Sequence, residues 1–137
     1  GLTSAPAIGV MMAYMAKDRL NLEKKDNFIA RRKSIPKVHS LSKKEVAKLI
    51  EKDDRYAQII CRCEMITEGE IINAINRPLG AKTLDGLKRR VRATSGRCQG
   101  GFCTPRLLEI LSKELGVDIE KISKNSPKST LITQRVK

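Results

Sequence analysis

The chain is poor in aromatic residues: it has no tryptophan, two phenylalanines, two tyrosines and a single histidine among 137 residues. A core built with so few aromatic side chains must be mostly aliphatic, and we expect it to be small and helical. No apolar run approaches the roughly 20 residues of a membrane-spanning helix, so we expect no transmembrane segment. His39 stands in a polar stretch, which predicts an exposed side chain in place of a ligand or a base.

Positive charge is in excess, with 28 Lys and Arg against 15 Asp and Glu and a net charge of +13. The excess is spread along the chain: residues 1–60 carry thirteen bases and seven acids, residues 61–103 eight and four, and residues 104–137 seven and four. A nucleic-acid binder usually concentrates its charge on one element. The diffuse positive charge is therefore weak evidence for nucleic-acid binding, and docking to an acidic protein partner explains it at least as well.

All four cysteines lie in two short loops between residues 61 and 103. Cys61-Arg62-Cys63 forms the first loop, and after thirty-four residues the second runs Cys98-Gln99-Gly100-Gly101-Phe102-Cys103. Thiolates bind soft metals well, and pairing them within short loops lowers the entropic cost of gathering four ligands around one centre. The spacing therefore indicates a metal or iron-sulfur site with Cys61, Cys63, Cys98 and Cys103 as its ligands.

Spacing alone leaves the metal open. Structural zinc sites usually place roughly two to four residues between paired cysteines. Cys61 and Cys63 are closer in sequence than that, and Cys98 and Cys103 are at the upper end of the range. An iron-sulfur cluster ranks first and zinc second. Two disulfides would need an oxidising compartment, and because nothing in the chain indicates export we expect a cytoplasmic protein. A reactive-thiol enzyme would need a base near its cysteine, and the single histidine is distant in sequence.

Four neighbours of the cysteines are predicted to contact the cofactor. Gly100 and Gly101 can adopt positive φ and bring backbone N–H groups close to sulfur. A helix that begins at Thr104 would point its positive end at the same place. Arg62 and Arg97 stand beside predicted ligands, where their charge would stabilise thiolates and raise the reduction potential of a cluster. The alternative for both arginines is that they simply belong to a basic surface.

Apolar periodicity and capping patterns predict an all-α fold with short helices between and after the two cysteine loops. The predicted helices run from Ser4 to about Leu20, from Ser42 to about Asp53, from Thr67 to 77–80, from Thr83 to 94–96 and from Thr104 to Gly116, with an extended segment at 56–60 and a last turn at 119–123. The first helix is rich in Met and small residues, which predicts a face packed against something larger. The basic side chains at 88–90 and 92 are predicted to lie mostly outward.

The cysteine segment resembles a known family. Residues 60–64 (Ile-Cys-Arg-Cys-Glu), 67–71 (Thr-Glu-Gly-Glu-Ile), 83–90 (Thr-Leu-Asp-Gly-Leu-Lys-Arg-Arg) and 96–103 (Gly-Arg-Cys-Gln-Gly-Gly-Phe-Cys) are similar to the bacterioferritin-associated-ferredoxin-like 2Fe-2S domain. The likeness is dense over residues 60–115. More narrowly, it resembles the version fused behind the FAD domain of flavin-dependent dehydrogenases of the anaerobic glycerol-3-phosphate dehydrogenase type. The opening residues 1–9 resemble the last flavin-contacting loop and helix of those enzymes.

The resemblance implies a small helical domain in which Cys61, Cys63, Cys98 and Cys103 ligate one 2Fe-2S cluster. This domain would relay electrons between the flavin domain of a parent chain and an acceptor. The diffuse positive charge of the chain predicts an acidic electron-transfer protein as a partner. FAD would be bound only by the full-length parent. Because the chain shows no Gly-rich dinucleotide motif and no substrate base, we expect no catalysis, and no catalytic residue, in the fragment alone.

The resemblance also divides the chain into three expected parts. Residues 1–40 are the C-terminal remnant of an FAD-binding domain with a linker, residues 41–123 are the helical cysteine-ligated domain, and residues 124–137 are a basic tail that we expect to be loosely held. The chain begins at Gly1 with no initiator methionine, and we expect a fragment or a processed chain.

Two other classes of protein remain. One is a structural zinc-binding interaction module without redox activity, whose basic surface docks an acidic partner. The other is a nucleic-acid binder that uses the basic cluster at 88–90 and 92, although four such residues on one helix are usually its solvated face.

Overall fold

Short helices dominate the fold, as the capping patterns predict. The structure, a computed structural model, describes residues 1–134. In chain order its elements are α1 Ala5–Leu20, α2 Lys43–Lys52, β1 Ile59–Cys61, β2 Ile66–Thr67, α3 Glu68–Asn76, α4 Leu84–Val91 and α5 Thr104–Leu115, with 3-10 turns at Val38–Ser40, Asp54–Ala57 and Ile119–Lys121. The predicted all-α class is confirmed, because the one sheet in the described part of the chain is a pair of very short strands.

The chain divides into two compact units, Gly1–Lys33 and Ser34–Lys137. The first unit holds α1, in which no side chain is buried and the apolar residues Met11, Met12 and Tyr14 are at least half exposed. Pro6 lies in the first turn, where its missing N–H leaves no helical hydrogen bond unmade. The Ser4 side chain does not cap α1, and its hydroxyl donates a hydrogen bond to the carbonyl of Gly1. No helix among residues 1–134 is long and apolar enough to cross a membrane.

The second unit has an aliphatic core contributed by α3, α4 and α5. Ile71, Leu87, Leu107 and Leu111 are all fully buried. Tyr56 is the one buried aromatic residue within the described chain, and its ring packs against Gly69, where an added Cβ atom would lie 2.6 Å from it. The expectation of a small, mostly aliphatic core is confirmed.

Two capping boxes open helices in the second unit, and both were predicted. At α2 the hydroxyl of Ser42 accepts a hydrogen bond from the N–H of Glu45, and at α3 the hydroxyl of Thr67 accepts one from the N–H of Glu70. The second box is buried: the Glu70 carboxylate accepts from the N–H and the hydroxyl of Thr67, both at 2.9 Å, and from the N–H of Val38 at 3.4 Å. This carboxylate therefore holds the segment before α2 against α3.

The approach to the first cysteine is only partly extended. Residues Asp54–Ala57 form a 3-10 turn, because the Asp53 carboxylate accepts a hydrogen bond from the N–H of Arg55 and starts a turn there. The prediction of an extended segment is thus wrong for Tyr56 and Ala57 and right for β1, which pairs antiparallel with β2.

Helix α4 ends earlier than predicted. Its last residue is Val91, and Arg92 follows in the left-handed region with φ 62°, so residues 94–96 lie outside the helix. By contrast, α5 begins at Thr104 and stops at Gly116 as predicted.

The segment after the last 3-10 turn is held more firmly than expected. The carbonyls of Ser123 and Lys124 accept hydrogen bonds from the N–H groups of Leu84 and Asp85 at the start of α4. The chain then folds back, with a bridge between Ser123 and Thr130. The expectation of a loose tail is wrong for this part, because its backbone groups satisfy the first turn of α4; residues 135–137 lie outside the described chain.

Candidate metal centre

The first cysteine loop is the tip of the β1–β2 hairpin. Cys61 is the last residue of β1 and pairs with Ile66 of β2, and Met65 turns the chain with φ 54°. Because β2 runs directly into the buried capping box of α3, the hairpin is fixed at its base. The loop is therefore held at the edge of the core.

The second cysteine loop connects α4 to α5 through several left-handed residues. Thr94, Gln99 and Gly100 have φ values of 71°, 48° and 90°. The expectation of positive φ applies to Gly100 and is wrong for Gly101, since the non-glycine residue Gln99 takes the neighbouring left-handed position. Cys103 is the N-cap residue of α5, so the positive end of that helix meets the loop, as predicted.

The two loops meet at one cavity of about 230 Å³. Its walls are the four predicted ligands together with three exposed neighbours: Cys61, Cys63, Cys98, Cys103, Arg62, Arg97 and Phe102. Cys61 and Cys103 are buried, Cys98 is partly buried and Cys63 is exposed. All four cysteines are free thiols.

Backbone N–H groups point at the sulfur of Cys98. Hydrogen bonds from the N–H of Phe102, from the Cys63 thiol and from the N–H groups of Gly100 and Gly101 lower the pKa of Cys98. Gly100 and Gly101 thus act on a predicted ligand through their backbones and do not line the cavity, and the N–H of Gly101 also donates to the Cys98 carbonyl at 2.9 Å. Sequence reasoning did not anticipate the additional N–H of Phe102.

The environment of Cys103 works in the opposite direction. Burial, followed by the neighbouring Cys61 thiol, raises the pKa of Cys103 to about 11, although the N–H of Thr94 opposes this. A buried thiolate beside other thiolates needs a positive charge to offset its desolvation and the mutual repulsion. A metal centre supplies that charge, and the donor set of four thiols around one cavity fits such a centre.

The four thiols line one cavity, but they are not arranged around a single ion. Among residues 1–134, no three His, Cys, Asp or Glu side chains converge as ligands around one ion. The sulfur contacts join Cys63 to Cys98 and Cys61 to Cys103. One tetrahedral zinc takes four sulfurs around one centre, and a 2Fe-2S cluster distributes four cysteines over two irons. The donor set of four thiols fits either centre.

Gly96 and one ion pair hold the two loops together, and sequence reasoning assigned no role to either. A Cβ atom at Gly96 would lie 2.3 Å from the Cβ of Cys63, so the second loop passes the first at a distance that only glycine allows. Glu64, next to Cys63, accepts a hydrogen bond from Arg92 at 2.8 Å. A glycine two residues before a cysteine was the available sequence signal for Gly96, but its contact partner is remote in sequence.

The basic cluster at 88–90 and 92 is partly occupied by structural contacts. Arg90 donates hydrogen bonds to the carbonyls of Gly86 and Leu79, and Arg92 pairs with Glu64. Two members of the cluster therefore tie the fold together, which weakens the case for a nucleic-acid surface. His39 is exposed, as predicted, and does not line the cysteine cavity.

Comparison with known proteins gives a family match centred on this site. Residues 59–113 match the family described as the BFD-like 2Fe-2S binding domain. The chain is 52% identical to a glycerol 3-phosphate dehydrogenase of Caloramator mitchellensis over 97% of this chain and 28% of that protein. It is also 34% identical to one of the subunits of the anaerobic glycerol-3-phosphate dehydrogenase of Escherichia coli (strain K12), over 42% of this chain and 10% of that protein.

A third relative is named for a different activity. The chain is 45% identical to the hydrogen cyanide synthase subunit HcnB of Pseudomonas aeruginosa over 36% of this chain and 11% of that protein. The chain thus spans little more than a quarter of the first relative and about a tenth of the other two. No solved structure matches it significantly.

Proposed function

We propose that the second unit of this chain, whose residues 59–113 match the BFD-like 2Fe-2S binding domain family, is an electron-transfer module holding one 2Fe-2S cluster. The observation that carries the proposal is the meeting of both cysteine loops, with all four thiols, at one cavity. When bound, the cluster supplies one-electron redox chemistry.

In this proposal Cys61, Cys63, Cys98 and Cys103 are the ligands. The N–H groups of Phe102 and Gly100 face the Cys98 sulfur and stabilise negative charge on it, while the N–H of Gly101 donates to the Cys98 carbonyl at 2.9 Å. Arg62 and Arg97 border the cavity and are exposed, so their charges raise the reduction potential while the aliphatic core excludes water from Cys61 and Cys103. The chain's own residues thus bind the cluster, favour its reduced form and leave one edge near solvent.

We further propose that the module belongs to a longer FAD-dependent dehydrogenase that oxidises glycerol 3-phosphate or a similar substrate. Support comes from the names of two relatives and from the 52% identity that continues through residues outside the family match. In the parent the module relays electrons between the flavin domain and an acceptor, in the cytoplasm. The fragment alone does not oxidise substrate.

Metal analysis of the anaerobically purified chain tests the module. We expect about two irons and two sulfides per chain and visible absorbance that bleaches with dithionite. Cys98→Ala should lose the iron, whereas His39→Ala, which removes the one other strong side-chain ligand for soft metals, should retain it. Stoichiometric zinc in a colourless protein, persisting after attempted cluster reconstitution, would leave the zinc-binding interaction module as the function.

A longer chain that includes the flavin domain tests the parent activity. Addition of glycerol 3-phosphate under anaerobic conditions should bleach the flavin first and the cluster afterwards, followed by stopped-flow absorbance. A flavin that stays oxidised with this substrate would reject the substrate class without touching the cluster assignment.

A further inference from the structure

Phe102 is an apolar side chain with no packing role in the second unit. It lies between two predicted ligands, lines the cysteine cavity, and its side chain is 85% exposed. The other aromatic residue of that unit, Tyr56, is 6% exposed and belongs to the core. Single exposed apolar side chains are common on protein surfaces, but Phe102 combines its exposure with a place at the cysteine cavity, beside the exposed Cys63.

The surroundings of Phe102 are positively charged. Arg62 and Arg97 border the same cavity, both are exposed, and neither forms an ion pair within the described residues. The nearby carboxylate of Glu64 is already neutralised by Arg92. The rim of the cysteine cavity therefore presents two cations beside an apolar ring, and the described residues that line the cavity include no carboxylate.

Such a surface fits a transient protein complex. Electron-transfer complexes bury little area, so a central aromatic anchor accounts for much of the affinity and surrounding charges set the association rate. Cys63, the exposed thiol, lies on this same edge, which makes it the place where a partner's redox centre can come nearest to the cluster.

We propose that Phe102, Arg62 and Arg97 form the docking surface for an acidic redox protein that exchanges electrons with this module. The ring inserts into an apolar recess of the partner, and the two arginines pair with carboxylates around that recess. This inference rests on the proposed function, since it gives the acceptor side of the module a partner of stated chemistry.

Binding of an oxidised flavodoxin, as an acidic redox probe, to the cluster-loaded full chain tests the surface. The dissociation constant is measured by calorimetry at two salt concentrations. Raising the ionic strength from about 0.01 M to about 0.15 M shortens the Debye length from about 30 Å to about 8 Å, so affinity should fall. Basic cytochrome c, as the probe of opposite charge, should bind far more weakly at low salt.

Matched variants test whether binding depends on this surface or on any exposed apolar or charged side chain. Phe102→Ala should weaken flavodoxin binding about tenfold, with partial recovery in Phe102→Leu. Leu79→Ala removes an equally exposed side chain, 85%, away from the cavity and should leave the dissociation constant unchanged. Arg97→Ser should weaken binding about fivefold and flatten its salt dependence. Lys113→Ser, a change of the same charge about 15 Å along α5 from Cys103, should have little effect.

The outcomes distinguish the two proposals. Iron content and the visible spectrum are recorded for every variant, so a chain without a cluster would overturn the module and its docking surface together. A cluster-loaded chain that does not bind flavodoxin, or that loses affinity equally in Phe102→Ala and Leu79→Ala, would overturn the docking surface and leave the module intact.

Discussion

Gly96 lies where the two cysteine loops pass each other. Its missing side chain is required, because a Cβ atom there would overlap the Cβ of Cys63 at 2.3 Å and approach the Cγ of Glu64 at 3.4 Å. Neither neighbour can yield freely, since Cys63 is a predicted ligand and Glu64 is paired with Arg92. Any side chain at this position must push the first loop away from the second.

We therefore expect Gly96→Ala to lose iron. The displaced Cys63 no longer completes the ligand set, and overpacking costs about 1–3 kcal/mol of folding free energy. Gly69→Ala is the control, because its Cβ would crowd the Tyr56 ring at 2.6 Å, away from the cavity. Both variants should unfold at lower denaturant concentration, but only Gly96→Ala should show low iron while folded. Equal iron content in the two folded variants would contradict this account.

The sequence predicted the four ligands well, but it did not predict the contacts that surround them. The four cysteines stand out by type and spacing, so their proximity was expected from the sequence. The role of Gly96 was not, because it depends on contact with a residue thirty-three positions earlier. Likewise positive φ fell on Gln99 and Gly100 and not on Gly101, whose N–H donates a hydrogen bond to the carbonyl of Cys98 at 2.9 Å.

At the scale of elements, the two capping boxes offer a comparison between buried and exposed versions of one motif. Thr67 and Glu70 are 1% and 2% exposed, whereas Ser42 and Glu45 are exposed. Thr67→Ala would leave the Glu70 carboxylate buried with fewer donors, which costs more than losing a cap in water. The buried box should therefore matter more to the fold.

We expect Thr67→Ala to lower the free energy of unfolding by about 2–3 kcal/mol and Ser42→Ala by about 1 kcal/mol. Urea denaturation followed by circular dichroism measures both free energies of unfolding. Loss of the cluster from a partly unfolded chain gives a second readout. Equal losses for the two variants would show that burial adds nothing to the cap of α3.

The turn after α2 makes a pH-dependent contribution to the free energy of unfolding. Arg55 donates hydrogen bonds to both carboxylate oxygens of Asp53, at 2.7 Å and 2.9 Å, and these bonds lower the pKa of Asp53. Because the folded-state pKa lies below the unfolded one, the ionised carboxylate stabilises the fold above its ordinary pKa of about 4. That stabilisation is lost as the pH falls through the lower folded-state value.

Asp53→Asn should therefore be less stable than the natural chain at pH 7, with the difference shrinking as the pH falls below about 4. Asparagine still accepts the Arg55 N–H, so the turn itself should persist. Asp54→Asn removes the same charge one residue later and should show a smaller difference at pH 7. Denaturation at several pH values measures this, and a pH-independent loss in Asp53→Asn would refute it.

For the whole molecule, the segment before α2 decides where the second unit begins. Ile35 packs against the core and the N–H of Val38 donates to the buried Glu70. These contacts support a unit that starts at Ser34. The division at residue 41, predicted from the sequence, stays a prediction that truncation can test.

We expect a chain of residues 34–137 to keep its iron and its unfolding midpoint, because no side chain of α1 is buried within the first unit. A chain of residues 41–137 should be less stable by about 1–3 kcal/mol, since it removes Ile35 from the core and the Val38 donor from a buried carboxylate. Thermal unfolding of the two truncated chains measures the difference. Identical midpoints would place the boundary at residue 41.

The sequence by itself determined the local features of this protein: the ligand-rich loops, the two capping boxes, the starts of α3, α4 and α5, and an aliphatic helical core. These depend on residues close together in the chain, where side-chain type and spacing act directly. Only the tertiary structure decided which thiols are buried, which arginine ties α4 to a neighbouring carbonyl, and that Phe102 stays exposed beside the cysteine cavity. Those features follow from how α3, α4 and α5 pack, because exposure and loop-to-loop contact are set by neighbours that are distant in sequence.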